Sequence, residues 1–183
     1  CGSLCKAQAV LESLPVRDIV SWSVIIKGYF EQGQYHEALR SFNRLQSEGL
    51  SPDAITFICI LNVYGILGSV DKGTEIHERI VTMGLLERND IILANALAAM
   101  YAKCGILEKA EQVLEELPVR DEVTWNALLA GYVQQGQDYE ALKYFTVMQK
   151  EGLYPDEVTF SCALKACGTI GAIDKGLQIH DEI

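Results

Sequence analysis

Five aspartates, Asp18, Asp53, Asp90, Asp121 and Asp156, stand at intervals of 35, 37, 31 and 35 residues. An ionised carboxylate accepts hydrogen bonds and donates none. Each of the five precedes an apolar helical pattern, a position where aspartate is among the best N-caps. The same oxygens are also suited to accept from the N–H groups of a ligand. The other reactive residue types carry less. Cys1 and Cys104 occupy equivalent positions of a repeat, as do Cys59 and Cys162, and none of the six cysteines forms a C-x-x-C pair. They read as small, buried, reduced thiols rather than metal ligands or disulfides. His180-Asp181-Glu182 forms an H-x-E string, the first part of a zinc deaminase signature, but no P-C-x-x-C follows it. The repeat-equivalent His77-Glu78-Arg79 breaks the string, so both histidines are expected to serve packing between helices. No phosphate-cradling glycine loop, nucleophile–base pair, cofactor site or metal site is legible, and no catalysis is expected.

What must position the aspartates is a repeat. CGILEKAEQVLEELPVRD (Cys104–Asp121) nearly copies CGSLCKAQAVLESLPVRD (Cys1–Asp18), 103 residues earlier. Sliding the chain by that offset keeps roughly half of the compared positions identical, the signature of an array. The aspartates divide it into units Ile19–Asp53, Ala54–Asp90, Ile91–Asp121 and Glu122–Asp156, of 35, 37, 31 and 35 residues. A partial unit, Cys1–Asp18, precedes them, and an incomplete one, Glu157–Ile183, follows. The chain therefore reads as a fragment of a longer array, with residues 1–183 forming one solenoid domain.

Each complete unit reads as two helices. Val20, Ile25, Ile26 and Tyr29 keep helical spacing up to the break at Gln32-Gly33-Gln34, and Ala38, Leu39, Phe42 and Leu45 keep it up to Gly49. The next units repeat the pattern with breaks near Gly68 and Gly84, then Gly105 and Pro118. Sustained period-two alternation is absent. The expected fold is all-α, a right-handed superhelical α-solenoid of helix-turn-helix repeats. Such pairs bury an apolar face only against the next pair, and stacking leaves a long groove suited to a peptide or a single nucleic-acid strand.

Composition restricts the ligand. A net charge of −10 argues against a broad cationic surface for phosphate binding, though not against local or base-directed contacts. No apolar run is long enough to span a bilayer. No basic or Ser-rich leader is present within the residues at hand.

VTWNALLAGYVQQGQDYEALKYFTVMQKEGLYPD (Val123–Asp156) resembles a plant pentatricopeptide repeat. The ordered 35-, longer and 31-residue units resemble the PLS subclass, as do the strings NALAAMYAKCG and LKACGTIGAIDKGLQIH. On that resemblance 19–53 and 122–156 are P units, 54–90 and 157–183 are L units, and 1–18 and 91–121 are S units. The ending GLLERND makes the 54–90 unit about two residues longer than usual. The tetratricopeptide repeat, a peptide-binding helical hairpin, fits less well: its W-x2-L-G-x2-Y pattern is missing and its length is not kept.

The resemblance implies recognition of single-stranded RNA, one base per unit, through the fifth and last residues. The pairs are then Ser23 with Asp53, Ile58 with Asp90, Asn95 with Asp121, and Asn126 with Asp156, with half-pairs Asp18 and Ser161. A carboxylate acceptor favours the imino N–H of uracil or guanine. Ser23 leaves space for a purine, the amides of Asn95 and Asn126 reach a pyrimidine (U, with C second), and Ile58 discriminates weakly. The expected register is 5′-G-N-U-U-3′. The second residues, Val20, Ile55, Ile92, Val123 and Val158, are implied to pack against bases, and fit an interface core equally well. Lys103 is a candidate phosphate contact or a solvated charge, and Trp22 and Trp125 read as packing residues. The resemblance further implies a mitochondrial or chloroplast protein directing C-to-U RNA editing. An alternative is a scaffold whose L units bind a multiple organellar RNA editing factor protein.

Overall fold

The computed structural model describes residues 17–86, 90–117 and 120–182, together with Leu4, Lys6, Ala9 and Ser13. Cys1, Cys5, residues 87–89 of the GLLERND ending and Pro118 lie outside the described residues. Ten α-helices and no strand occur among those described: α1 (Ile19–Glu31), α2 (Tyr35–Ser47), α3 (Ala54–Leu67), α4 (Val70–Thr82), α5 (Ile91–Lys103), α6 (Leu107–Glu115), α7 (Glu122–Gln134), α8 (Asp138–Lys150), α9 (Glu157–Ile170) and α10 (Ile173–His180). No described helix is long and apolar enough to cross a membrane.

The helices pair in sequence, and the two members of a pair begin differently. Each odd-numbered first helix starts directly after one of the recurring aspartates, whose side chain accepts the N–H three residues on, at 2.8–3.1 Å. The even-numbered second helices have no side-chain cap. They are entered through a tight turn instead. Gly33, Gly68, Gly105, Gly136 and Gly171 adopt φ of 65–78°, where a side chain would be strained. The N–H after each glycine bonds back to the carbonyl five residues earlier, as in Gln34 N–H to Tyr29 O at 2.8 Å and Gln137 N–H to Tyr132 O at 2.9 Å. Those glycines lie at the breaks that the sequence marks at Gly33, Gly68 and Gly105.

First helices pack on first helices of the neighbouring pairs, α1 on α3, α3 on α5, α5 on α7 and α7 on α9. Each second helix packs on its own first helix, and α2, α4, α6 and α8 also touch the next first helix. Among the described residues no comparable contact joins two second helices. The first-helix layer is therefore the closely packed one and the second-helix layer is splayed, so the stack is an α-solenoid whose groove follows the first helices. Sandwiched on two sides, these helices are apolar nearly all round; α3 buries Phe57, Ile60, Leu61 and Val63.

Glycine sets the closest approach. A Cβ on Gly131 would stand 2.8 Å from Ala102 Cβ and 3.0 Å from Leu107 Cδ2, and one on the repeat-equivalent Gly28 would meet Leu4 at 2.7 Å. Trp22 and Trp125 are buried, and Trp22 Nε1 donates to Glu48 at 3.0 Å. The Tyr132 and Tyr144 hydroxyls both donate to Glu111, joining α6 to α7 and α8. Burial and that carboxylate push both phenols up, Tyr144 to about 12.

His77 fits the packing expectation and bonds the Tyr101 hydroxyl of the next pair at 2.9 Å. His180 does not fit it: its side chain is exposed beside Asp181. The partner position of His77 lies 24 residues ahead, and its counterpart for His180 falls past the last residue of the sequence. The four described cysteines are free thiols, with Cys59 and Cys167 buried and Cys104 and Cys162 half-buried.

Candidate nucleic-acid interface

Where two first helices meet, the N-cap aspartate of the later helix faces the fifth residue of the earlier one. Asn95 Nδ2 donates to both oxygens of Asp121, at 3.0 and 3.1 Å. Asn126 Nδ2 donates to Asp156 at 2.8 Å. The Ser23 hydroxyl lies 3.2 and 3.3 Å from the oxygens of Asp53 and donates also to Ile19 O at 2.8 Å. The structure thus brings together three of the pairs picked out in the sequence. The fourth has no such bond: Ile58 offers no polar side-chain atom, and among the described residues Asp90 caps only the Leu93 N–H. Asp18 accepts from the N–H and hydroxyl of Ser21, while Ser161 is exposed.

A third member completes each polar junction, and the sequence reading missed it. The hydroxyl of Thr124 reaches Asn95 Oδ1 at 2.5 Å and Asp121 at 2.8 Å. That of Thr159 reaches Asn126 Oδ1 at 2.6 Å and Asp156 at 2.9 Å. Thr56 does the same for Ser23 and Asp53, at 2.8 and 2.6 Å. The available signal was the threonine three residues after the aspartate in these units, against Leu93 after Asp90. Burial raises the pKa of Asp121 and Asp156, but the bonds from Thr124 and Asn95, and from Thr159 and Asn126, outweigh it. Both carboxyls are held below their usual range and stay ionised as acceptors. Asp18 is likewise lowered, by Ser21.

Beside the junctions runs an apolar row. Val20, Ile55, Ile92, Val123 and Val158 are 51–63% exposed. Second and fifth residues are three apart and share a helix face, so each exposed aliphatic side chain stands next to a junction. The same face continues to the ninth residues, which include exposed Lys27 and Lys165, and on to exposed Lys103. Lys27 lies 3.8 Å from Glu31, whereas Lys103 and Lys165 form no ion pair among the described residues. The junctions differ in openness. Asn95 and Ser23 are 7% and 5% exposed, whereas Asn126 is half-buried and Asp156 exposed.

The stacked pairs and their recurring polar junction define a helical-repeat solenoid. A model of the PPR repeat family matches residues 17–65 and 120–169, and a PPR repeat model matches residues 92–121. The chain belongs to the pentatricopeptide repeat (PPR) family. Among curated relatives it is 39% identical over 182 residues to the chloroplastic pentatricopeptide repeat-containing protein DOT4 of Arabidopsis thaliana, covering 99% of this chain and 21% of that one. It is 35% identical over 174 residues to the mitochondrial At4g19191 of the same plant, covering 95% and 26%. The chain spans between 21% and 34% of the length of such relatives. Chloroplast and mitochondrion are the two compartments that the resemblance implied.

Solved structures share the fold. PPR10 from maize, in complex with an 18-nt psaJ RNA element, matches with a TM-score of 0.69 at 24% identity, over 99% of this chain and 31% of that one. The PPR domain of Arabidopsis thaliana protein-only RNase P 1, in complex with tRNA, matches with 0.65 at 15% identity, over 85% and 83%.

Proposed function

We propose that this chain reads single-stranded RNA along the first-helix groove, one base per unit. The observation that carries the reading is the exposed aliphatic row, Val20, Ile55, Ile92, Val123 and Val158, alongside the polar junctions. Water-facing Val and Ile at the same position of five successive units have no packing purpose inside the chain. They suit the flat faces of bases, which give affinity with little sequence preference. Selection then falls to the junctions. The Asn126 amide has one N–H and one oxygen lone pair beyond those used in its junction, and the neighbouring carboxylate keeps a lone pair for an imino N–H. Uracil offers the matching edge. The reading is 5′-G-N-U-U-3′, with Ser23/Asp53 on G, Asn95/Asp121 and Asn126/Asp156 each on U, and Ile58/Asp90 undiscriminating. Asp18 and Ser161 contribute halves of flanking sites.

The unit lengths support assignment to the PLS subclass, in P, L and S units bounded as the aspartates divide them. The parent protein then directs C-to-U editing of an organellar transcript, without chemistry in these repeats. A helper protein on the L unit belongs to the same proposal, because the end of α4 and its C-cap leave Val81 and Met83 exposed on the splayed layer.

The test is selection of short RNAs from a randomised pool by the wild-type chain and by Asn126→Ser and Asn95→Ser. Each variant is expected to change preference at one base, from U towards G. Unchanged preference, or no RNA bound at any ionic strength, overturns the reading and leaves the protein-scaffold role.

A further inference from the structure

The threonine of each polar junction belongs to the unit after the one whose base it would influence. Thr56, Thr124 and Thr159 are fully buried. Each hydroxyl has a single proton and two acceptors within reach, the fifth-residue oxygen and the carboxylate. At Asn95 and Asn126 only one arrangement satisfies every atom. The Thr proton goes to the amide Oδ1, which leaves the NH2 group facing the aspartate. The reversed amide would set its oxygen against a carboxylate oxygen at 2.8 Å in the Asn126 junction.

The one junction without threonine is also the one without a polar fifth residue: Leu93 stands where the hydroxyl would be, opposite Ile58. Hydroxyl and selector are present together or absent together. We propose that the third residue of each unit is a specificity-positioning residue for the preceding unit, fixing which edge of the amide meets a base. The proposal rests on the RNA reading above.

The experiment measures binding to four RNAs that differ only at the base assigned to Asn126, for wild type, Thr159→Val and Thr159→Ser. Valine keeps the shape and removes the proton, and serine restores it. Wild type is expected to prefer U by about tenfold. Thr159→Val should lower that preference to about twofold or less at this base alone, and Thr159→Ser should recover it. A variant that loses affinity equally for all four bases, or keeps its preference for U, overturns the positioning role while leaving the RNA reading intact. A wild type that shows no preference at this base overturns both. Should Thr159→Val fail to fold, the same comparison at Thr124, read at the Asn95 base, decides between these outcomes.

Discussion

Asp121 serves two helices at once, capping α7 through Thr124 and holding the nearly buried amide of Asn95 on α5. Removing it should cost more than a cap. Asp121→Ala is expected to lose about 1 kcal/mol for the N-cap and about 1–3 kcal/mol more for the unpaired amide, read by chemical denaturation. Asp121→Asn tests the charge. The folded carboxyl titrates below its unfolded value, so its contribution is complete above about pH 4 and is lost as pH falls through the folded pKa. The variant should lose less stability than wild type between about pH 5 and pH 2, as thermal melts across that range would show. At this scale the sequence displayed the aspartates by spacing and the asparagines by resemblance. It hid the threonines, because a hydroxyl in the first turn of a helix reads as ordinary capping until the neighbouring unit is folded beside it.

The helices themselves were legible from their ends. Glycine at each inter-helix turn and aspartate before each first helix are local requirements, met by residues next to one another in the chain. What lay beyond the sequence was which face of a first helix stays open. A helix such as α3 is apolar nearly all round, so periodicity cannot tell Ile55, which faces water, from Phe57, which is buried. Only the neighbouring helices decide. They approach closely because residues such as Gly131 have no side chain. Gly131→Ala would press a methyl to 2.8 Å from Ala102 Cβ and 3.3 Å from its Cα. The expected cost is about 1–3 kcal/mol, from overpacking that no flexible side chain relieves. Denaturation would contradict this if the variant were as stable as wild type.

Across the whole molecule, one layer of helices carries the groove and the other braces it from outside. Replacing Val123 and Val158 with serine should leave stability within about 0.5 kcal/mol, as for solvent-facing sites. Affinity for RNA should fall with little change in base preference. Core residues would give the opposite pattern, a loss of stability. The acidic charge predicts weak salt dependence. With Lys103 and Lys165 as the free cations on the groove face among the described residues, the slope of log affinity against log salt should be about −1.4. A slope near −5 would mean a cationic surface that the groove lacks.

The central claim is that the Asn126/Asp156 junction chooses a base. Fluorescence anisotropy on two oligonucleotides, one carrying GAUU and one with its last U replaced by G, measures that choice directly. Wild type should bind the first more tightly, and Asn126→Ser should bind the second more tightly. Equal affinity of wild type for both, or the same order in both proteins, would contradict the account.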